Sequence, residues 1–478
     1  MSAKVGQAAG APSFADAARG MLGNTQLRHN VRNATDVIRA RRAHAVAETL
    51  DWEQLRDSAR AVKDHVLRHL QAYLEQFETA CTAAGGKVHW ARDADEANGK
   101  IVDIIRSHGA SEVIKVKTMT SDETALNPAL EAAGITPIET DLADLIIQLG
   151  ADKPSHIVVP ALHRNRAEIR RLFMEKMQLK ELGERAEDLT AAARRYLRER
   201  FLRVRVGLSG ANFAVAESGS LCVVESEGNG RMCVTLPKVL ISLVGIEKIV
   251  PTFGDLEVFL QLLARSATGE RMNPYNSIWT GVTPGDGPEE FHVVLLDNGR
   301  TGVLDDPASR ATLACIRCGA CLNTCPVYRK IGGHAYGWVY SGPIGALVTP
   351  QFTSLDQARE LPFASSLCGA CREVCPVKIN IPDLLLHLRS EAQEQLPAPR
   401  AKGALLREKT MMRLWAWAFS RPWVYNLGGR MARWGQFLLA RSGWIRKVPL
   451  YPASRWTDAR DVPALAKKSF HDRWKEIR

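Results

Sequence analysis

The sequence predicts an α/β protein in which a layered α/β domain leads into a helical, cysteine-rich module and then a basic helical tail. Three observations carry this. Short β-rich runs alternate with helical stretches through residues 112–296, seven of the ten cysteines fall between Cys315 and Cys375, and the positive charge gathers after residue 400. A chain of 478 residues is too long for one core, so two or three domains are expected. With 46% hydrophobic and 24% charged residues, the composition is that of a folded protein and excludes a fibrous repeat or a disordered chain.

Residues 1–50 are Ala- and Arg-rich and read as an arm with a first helix. Arg39, Arg41 and Arg42 lack the apolar run an export signal needs after them, so a cytoplasmic protein is expected. From 52 to 84, Leu55, Val62, Val66, Leu70, Leu74 and Phe77 recur at three- and four-residue steps, the mark of one helix face, and Gly85-Gly86 stops it. Strands are expected at 112–117, 156–160, 213–216, 221–225, 239–245 and 291–296. Residues 164–201 read as a long, charged, exposed helix. Such alternation predicts a mostly parallel sheet.

Turn formers at Asp297-Asn298-Gly299 and Asp305-Asp306-Pro307 mark a boundary, and Pro397 and Pro399 mark another around 395–401. Between them, Cys315, Cys318, Cys321 and Cys325-Pro326 form a C-x2-C-x2-C-x3-C-P run, the arrangement with which bacterial-type ferredoxins hold 4Fe-4S clusters. The two-residue gaps wrap the backbone around one corner of a cube, while the fourth thiolate, turned away by proline, reaches a second. Cys368, Cys371 and Cys375-Pro376 supply the complementary half. By the crossed logic of two-cluster ferredoxins, Cys315, Cys318, Cys321 and Cys375 hold one cluster and Cys325, Cys368 and Cys371 the other.

A second complete run would place its first cysteine at Ser365, so the second cluster has three thiolates in sequence. Its remaining ligand is left open between the hydroxyl of Ser365 or Ser366, water, a partner's group and a 3Fe-4S form. Zinc is the competing metal, since C-x2-C pairs also build tetrahedral sites, but seven cysteines do not divide into fours. Cys81, Cys222 and Cys233, scattered through the first half, read as buried structural thiols.

The glycine-rich segment 207–231 offers backbone amides to a carboxylate or phosphate, or else simple turns in which Glu217 and Arg231 pair with each other. Together with Lys117-Thr-Met-Thr-Ser-Asp-Glu123, Pro160-Ala-Leu-His163 and Gly245-Ile-Glu-Lys-Ile-Val-Pro-Thr252, it resembles the LUD domain of lactate-utilization proteins. Joined to the cysteine module, the chain is similar to the lactate utilization protein B family, the iron-sulfur subunits of an L-lactate oxidation system. The segment 328–351 also resembles the inter-motif stretch of glycolate oxidase iron-sulfur subunits.

The resemblance implies a sheet like those of sugar-phosphate isomerases and CoA transferases, and two 4Fe-4S clusters on the seven cysteines. It also implies a role in oxidising L-lactate to pyruvate, with a cysteine-rich A subunit and a LUD-type C subunit as partners. The organisation expected is an arm at 1–50, a LUD domain at 51–302, a two-cluster ferredoxin-type domain at 303–396 and a basic Trp-rich region at 397–478. His163 and Lys117 are candidates for base and anion anchor, though a histidine after a strand is more often a hydrogen-bonded loop residue. No catalytic residue is assigned.

Between Arg400 and Arg478, 18 Lys and Arg face 5 Asp and Glu, a net +13 that leaves −2 for the rest of a chain whose total is +11. Trp415, Trp417, Trp423, Trp434, Trp444, Trp456 and Trp474 interleave with this charge. Pro422, Gly428 and Gly429 interrupt a long amphipathic helix, which favours packing on a partner or on the protein itself over peripheral contact with the inner face of a membrane. No nucleic-acid reading module accompanies the charge, and no G-x-G-x-x-G opens a helix after a strand. The first expectation is therefore an electron-transfer subunit that passes electrons to an acceptor such as a quinone. The alternatives are an isomerase- or CoA-transferase-like enzyme with structural or regulatory clusters, and a redox-sensing scaffold.

Overall fold

A computed structural model describes residues 12–394, 404–449, 454, 457 and 460–477. The chain separates into two compact units, Met1–Leu396 and Pro397–Arg478. The expected boundary at 395–401 and Trp456 lie outside the described residues.

In the first unit, six strands form a wholly parallel sheet: β1 (Lys87–Ala91), β2 (Glu112–Lys115), β3 (Thr136–Glu139), β4 (Val206–Ser209), β7 (Val239–Gly245) and β10 (Glu290–Leu296). Their order is β1-β10-β7-β4-β2-β3. Every residue of β7 is buried, as a central parallel strand covered on both faces requires. A second sheet, ordered β8-β5-β6-β9, is built from β5 (Phe213–Val215), β6 (Ser220–Glu225), β8 (Ile249–Val250) and β9 (Tyr275–Trp279). The glycine-rich segment thus supplies three strands, and Ser209 Oγ bonds Ser242 Oγ at 2.8 Å between the buried strands β4 and β7.

Several elements differ from expectation. Residues 156–160 form a turn, not a strand. The Ser155 amide donates to the Pro160 carbonyl at 3.0 Å, and His156 Nδ1 accepts from the amides of Val158 and Val159 at 3.0 and 3.1 Å. These local bonds stand in place of strand pairing, and Ile157 is buried in the core shared with the cysteine module. The helical stretch 52–84 breaks at His69 into Trp52–Arg68 and Leu70–Ala83. The stretch 164–201 is two helices, Arg166–Lys176 and Ala186–Arg203, separated where Gln178 takes φ 54°. These are not merely exposed: Phe173, Leu189, Leu197 and Phe201 are buried in the core.

The N-terminal segment is two helices, Phe14–Gly23 and Thr25–Ala47, laid on the cysteine module. Phe14 meets the Tyr336 ring edge-on at 5.2 Å, and Leu27 and Val31 join Tyr328 and the cysteines in one core. Trp52, Phe213 and Phe259 from the α/β layers belong to that same core.

The second unit contains helices Ala404–Phe419, Pro422–Gly435 and Phe470–Ile477, with a small antiparallel sheet of Ala440–Arg441, Trp444–Ile445 and Val462–Pro463. Pro422 starts a helix, where a missing N–H is harmless, and Gly428-Gly429 sits inside that helix instead of interrupting it. Trp415, Trp423, Trp434 and Phe437 are exposed. Among the described residues, no helix is long and apolar enough to cross a membrane.

Candidate functional site

Two short helices, Ala320–Thr324 and Ala370–Val374, carry the cysteines, and each is entered by the same backbone device. Arg317 and Gly319 flank Cys318 at φ 60° and 75°, and Leu367 and Gly369 flank Cys368 at 55° and 84°. Left-handed residues on both sides turn the chain sharply at the cysteine, which glycine permits without strain. A side chain at Gly319 would also press on Val158 Cγ2 at 3.1 Å. Each helix ends at an extended cysteine, Cys325 or Cys375, with proline next.

Cys318, Cys321, Cys325, Cys371 and Cys375 are buried, Cys315 is half-buried and Cys368 is exposed. Cys315, Cys318, Cys321 and Cys375 wall one cavity, closed by Ile316, Ile344, Ile379 and Ile381. The Arg317 amide donates to Cys315 Sγ at 3.4 Å and the Ile379 amide to Cys375 Sγ at 3.3 Å. Burial pushes the Cys375 thiol up to about 11 and the Cys371 thiol up to about 12, against backbone amides that favour the thiolate. Cys318 feels the charge of Cys315 and Cys375, and Cys325 that of Cys368. Cys371 in turn feels Cys325 and Cys368. Cys321 feels its own set and also Cys371, and the short helices that carry these two cysteines pack on each other.

Four sulfur donors around a water-poor cavity, with amides aimed at sulfur, fit a 4Fe-4S group in the first set. In the second, Ser365 occupies the place of Cys315: the Leu367 amide donates to Ser365 Oγ at 3.2 Å, just as the Arg317 amide donates to Cys315 Sγ. Ser366 is exposed.

Cations from distant parts of the chain grip the second motif. Arg56 Nη2 donates to the Cys375 and Glu373 carbonyls at 2.8 and 2.9 Å, and Arg42 Nη2 to the Val374 carbonyl at 3.0 Å. Nothing in the local pattern signals these contacts, since both arginines stand more than three hundred positions away, at |i−j| of 319, 317 and 332.

Beneath the first set lies a buried ion network. Arg300 donates to Glu123 Oε1 at 2.8 Å and Oε2 at 3.0 Å, and also to Glu247; Tyr340 donates to Glu123 at 2.7 Å. Burial raises the Glu247 carboxyl, but Arg300, Arg317 and Lys248 outweigh it and hold it at about 2. Lys63 Nζ donates to the Glu247 carbonyl at 2.6 Å, and burial pulls its ammonium down to about 8.

A cleft of about 270 Å³ opens at the C-terminal ends of β2 and β4, where open α/β sheets bind ligands. Lys117 lines it, with Nζ donating to the Val158 carbonyl at 2.6 Å, and so do Lys248 and Arg317. His163 does not line it. Its Nε2 pairs with Asp152 at 2.9 Å and its Nδ1 with Ser155 at 2.8 Å, so the ring is a hydrogen-bonded loop element. Glu217 does not pair with Arg231: it accepts from the Phe253 amide at 2.7 Å, while the Arg231 amide donates to Glu225. Cys81, Cys222 and Cys233 are buried, the last beside Thr140 Oγ1 at 3.3 Å.

Three family models match in succession: the LUD domain at residues 74–296, the 4Fe-4S dicluster domain at 311–379, and the C-terminal part of lactate utilisation protein B at 387–478. The chain is 42% identical to Lactate utilization protein B of Bacillus licheniformis, over 98% of this chain and 97% of that one. It is 40% identical to Lactate utilization protein B of Bacillus subtilis, over 97% and 96%. A protein of Escherichia coli described as the uncharacterized electron transport protein YkgF is 42% identical over 94% of each chain.

Proposed function

Because this chain belongs to the lactate utilization protein B family, we propose that it is the iron-sulfur electron-transfer subunit of a complex that oxidises L-lactate to pyruvate and allows growth on lactate. Cys315, Cys318, Cys321 and Cys375 hold one cluster, and Cys325, Cys368 and Cys371 hold the second, with Ser365 standing in the place of a fourth ligand. When bound, a 4Fe-4S group takes and gives one electron at a time, whereas lactate releases a pair, so a partner subunit holds the centre that splits it.

The observation that carries this reading is the packing of the helices Ala320–Thr324 and Ala370–Val374 on each other, which brings Cys321 and Cys371 into one core. Adjacent sets serve a relay better than they serve structural support, which one site alone would supply. The chain's own residues exclude water with isoleucines, aim amides at sulfur and fix Cys375 through Arg56. A cysteine-rich A subunit and a LUD-type C subunit are the expected partners, and a quinone or another carrier the onward acceptor. The exposed tryptophans of the basic tail are the surface proposed for partner docking.

The test is anaerobic purification with these partners, followed by EPR as L-lactate is added. Reduced-cluster signals that grow with pyruvate support the reading. Colourless protein containing zinc, or spectra that stay fixed while pyruvate accumulates, ends it.

A further inference from the structure

The α/β cleft has a charged side whose cations share Glu247 and are not fully hydrogen-bonded. Lys248 is buried at 9% exposure, lines the cleft, and makes no hydrogen bond to any described residue. The Arg317 side chain is 7% exposed; its plane stacks on the Tyr340 ring at 4.7 Å, one terminal nitrogen stands 3.5 Å from Glu247, and Nη1 has no partner. Asn229 Oδ1 and Thr268 Oγ1, also on the lining, are likewise buried and unmatched. Unpaired buried polar atoms are costly, and three of them beside the unbonded Lys248 ammonium on one cleft mark a place kept for a ligand.

The acids in the same cleft are already committed. Asp141 accepts from the amides of Ala143 and Asp144, Glu227 from the Leu142 amide, and Glu225 from the amides of Glu227, Gly228 and Arg231. The remaining cation, Lys117, is turned to the Val158 carbonyl. The unmet demand is therefore for negative charge, with a hydroxyl or carbonyl for Thr268 and Asn229, and Ile157 and Leu263 offer an apolar wall. About 270 Å³ suits a molecule of a few heavy atoms.

We propose that this cleft binds a small carboxylate anion, of the 2-hydroxy- or 2-oxo-acid class, between Lys248 and Arg317. Arg317 is also the residue between Cys315 and Cys318, so the ligand is held by the loop that carries two of the sulfur donors. The binding stands by itself; its proximity to a redox centre rests on the electron-transfer reading above.

The test is calorimetric titration of the full chain, purified anaerobically, with sodium L-lactate, sodium pyruvate and inorganic phosphate at constant ionic strength. Saturable binding of a carboxylate is expected, weakened at least about tenfold in Lys248→Met, with iron and sulfide content unchanged. Thr268→Val, which keeps shape, should weaken it several-fold and decides the matter if Lys248→Met does not fold. In the reduced protein, the bound carboxylate should also shift the EPR spectrum of the cluster on Cys315 and Cys318. No saturable carboxylate binding, binding of phosphate alone, or unchanged affinity in the folded variants overturns the proposal. Carboxylate binding by protein devoid of iron would instead overturn the electron-transfer reading and leave this one standing.

Discussion

Arg300→Met removes the cation at the centre of the buried network while keeping much of its volume. The Arg300 side chain is 1% exposed, and Glu123 and Glu247 are 7% and 1% exposed, so neither carboxylate gains water when its partner goes. Lost with it are the paired bonds to Glu123, the bond to Glu247, one to the Asp297 carbonyl at 2.9 Å, and the stacking over Phe352 at 4.5 Å. Breaking a buried pair from one side costs about 3–5 kcal/mol, chiefly the stranded charge. For a unit of nearly four hundred residues with an unfolding entropy of about 2.1 cal/mol/K per residue, that is a Tm lower by roughly 4–6 °C. Anaerobic thermal melts followed by circular dichroism at pH 7.5 read it directly. Glu247 is held at about 2, below its ordinary 4.5, so its pairing stabilises the native protein above pH 4.5 and this is lost as pH falls toward 2. The deficit of the variant should therefore shrink at pH 4. A shift under about 1 °C at pH 7.5, or one indifferent to pH, refutes the claim that the network is ionised and carries stability.

The proposed crossed ligation makes double variants informative. Cys318→Ser/Cys375→Ser should lose one cluster and retain about four irons per chain, whereas Cys318→Ser/Cys371→Ser should lose nearly all; equal iron contents in the two would show that the sets are not crossed. Ser365→Cys places a thiol where the Leu367 amide already donates, and should slow the loss of second-cluster iron in air; an unchanged rate in an iron assay argues against Ser365 standing at the ligand position. His156 is held down to about 4 by burial and by Lys117, and its neutral ring joins Asn323 to the amides of Val158 and Val159. Its stabilisation, full above pH 6.5, should fall by about 3 kcal/mol as pH drops from 6.5 to 4, and denaturant midpoints of His156→Gln should show a flatter pH dependence over that window.

The cysteine module is legible because its spacing is a local code: two-residue gaps bring Cys315, Cys318 and Cys321 to the wall of one cavity. The strands 213–215, 220–225, 239–245 and 290–296 were legible too, since buried strands are unbroken apolar runs. Val206–Ser209 was missed because Gly207 and Ser209 disguise a four-residue strand as a loop, and Lys87–Ala91 because it is a partly exposed sheet edge. Residues 156–160 look like a strand by composition, but the Pro160 carbonyl and the His156 ring close them into a turn. Lys117, singled out as a candidate anion anchor, does line the cleft, whereas nothing in the sequence singles out Lys248 and Arg317. Arg317 sits at an unassigned position inside the cysteine motif, and only the tertiary fold turns it toward the α/β layers. The grip of Arg42 and Arg56 is non-local for the same reason: periodicity reports a helix face, not what that face touches.

That grip bears on how the molecule is made. The helices Phe14–Gly23 and Thr25–Ala47 leave the ribosome well before the segments they pack on, Tyr328–Ile331 and His334–Tyr336, and before the Val374 carbonyl that Arg42 bonds. Through most of translation the nascent N-terminus presents Leu27, Val31 and Trp52 to solvent, an invitation to chaperones and to aggregation. Burial of the N-terminal helices is therefore a late step of biogenesis, waiting on partners about three hundred positions further along the chain.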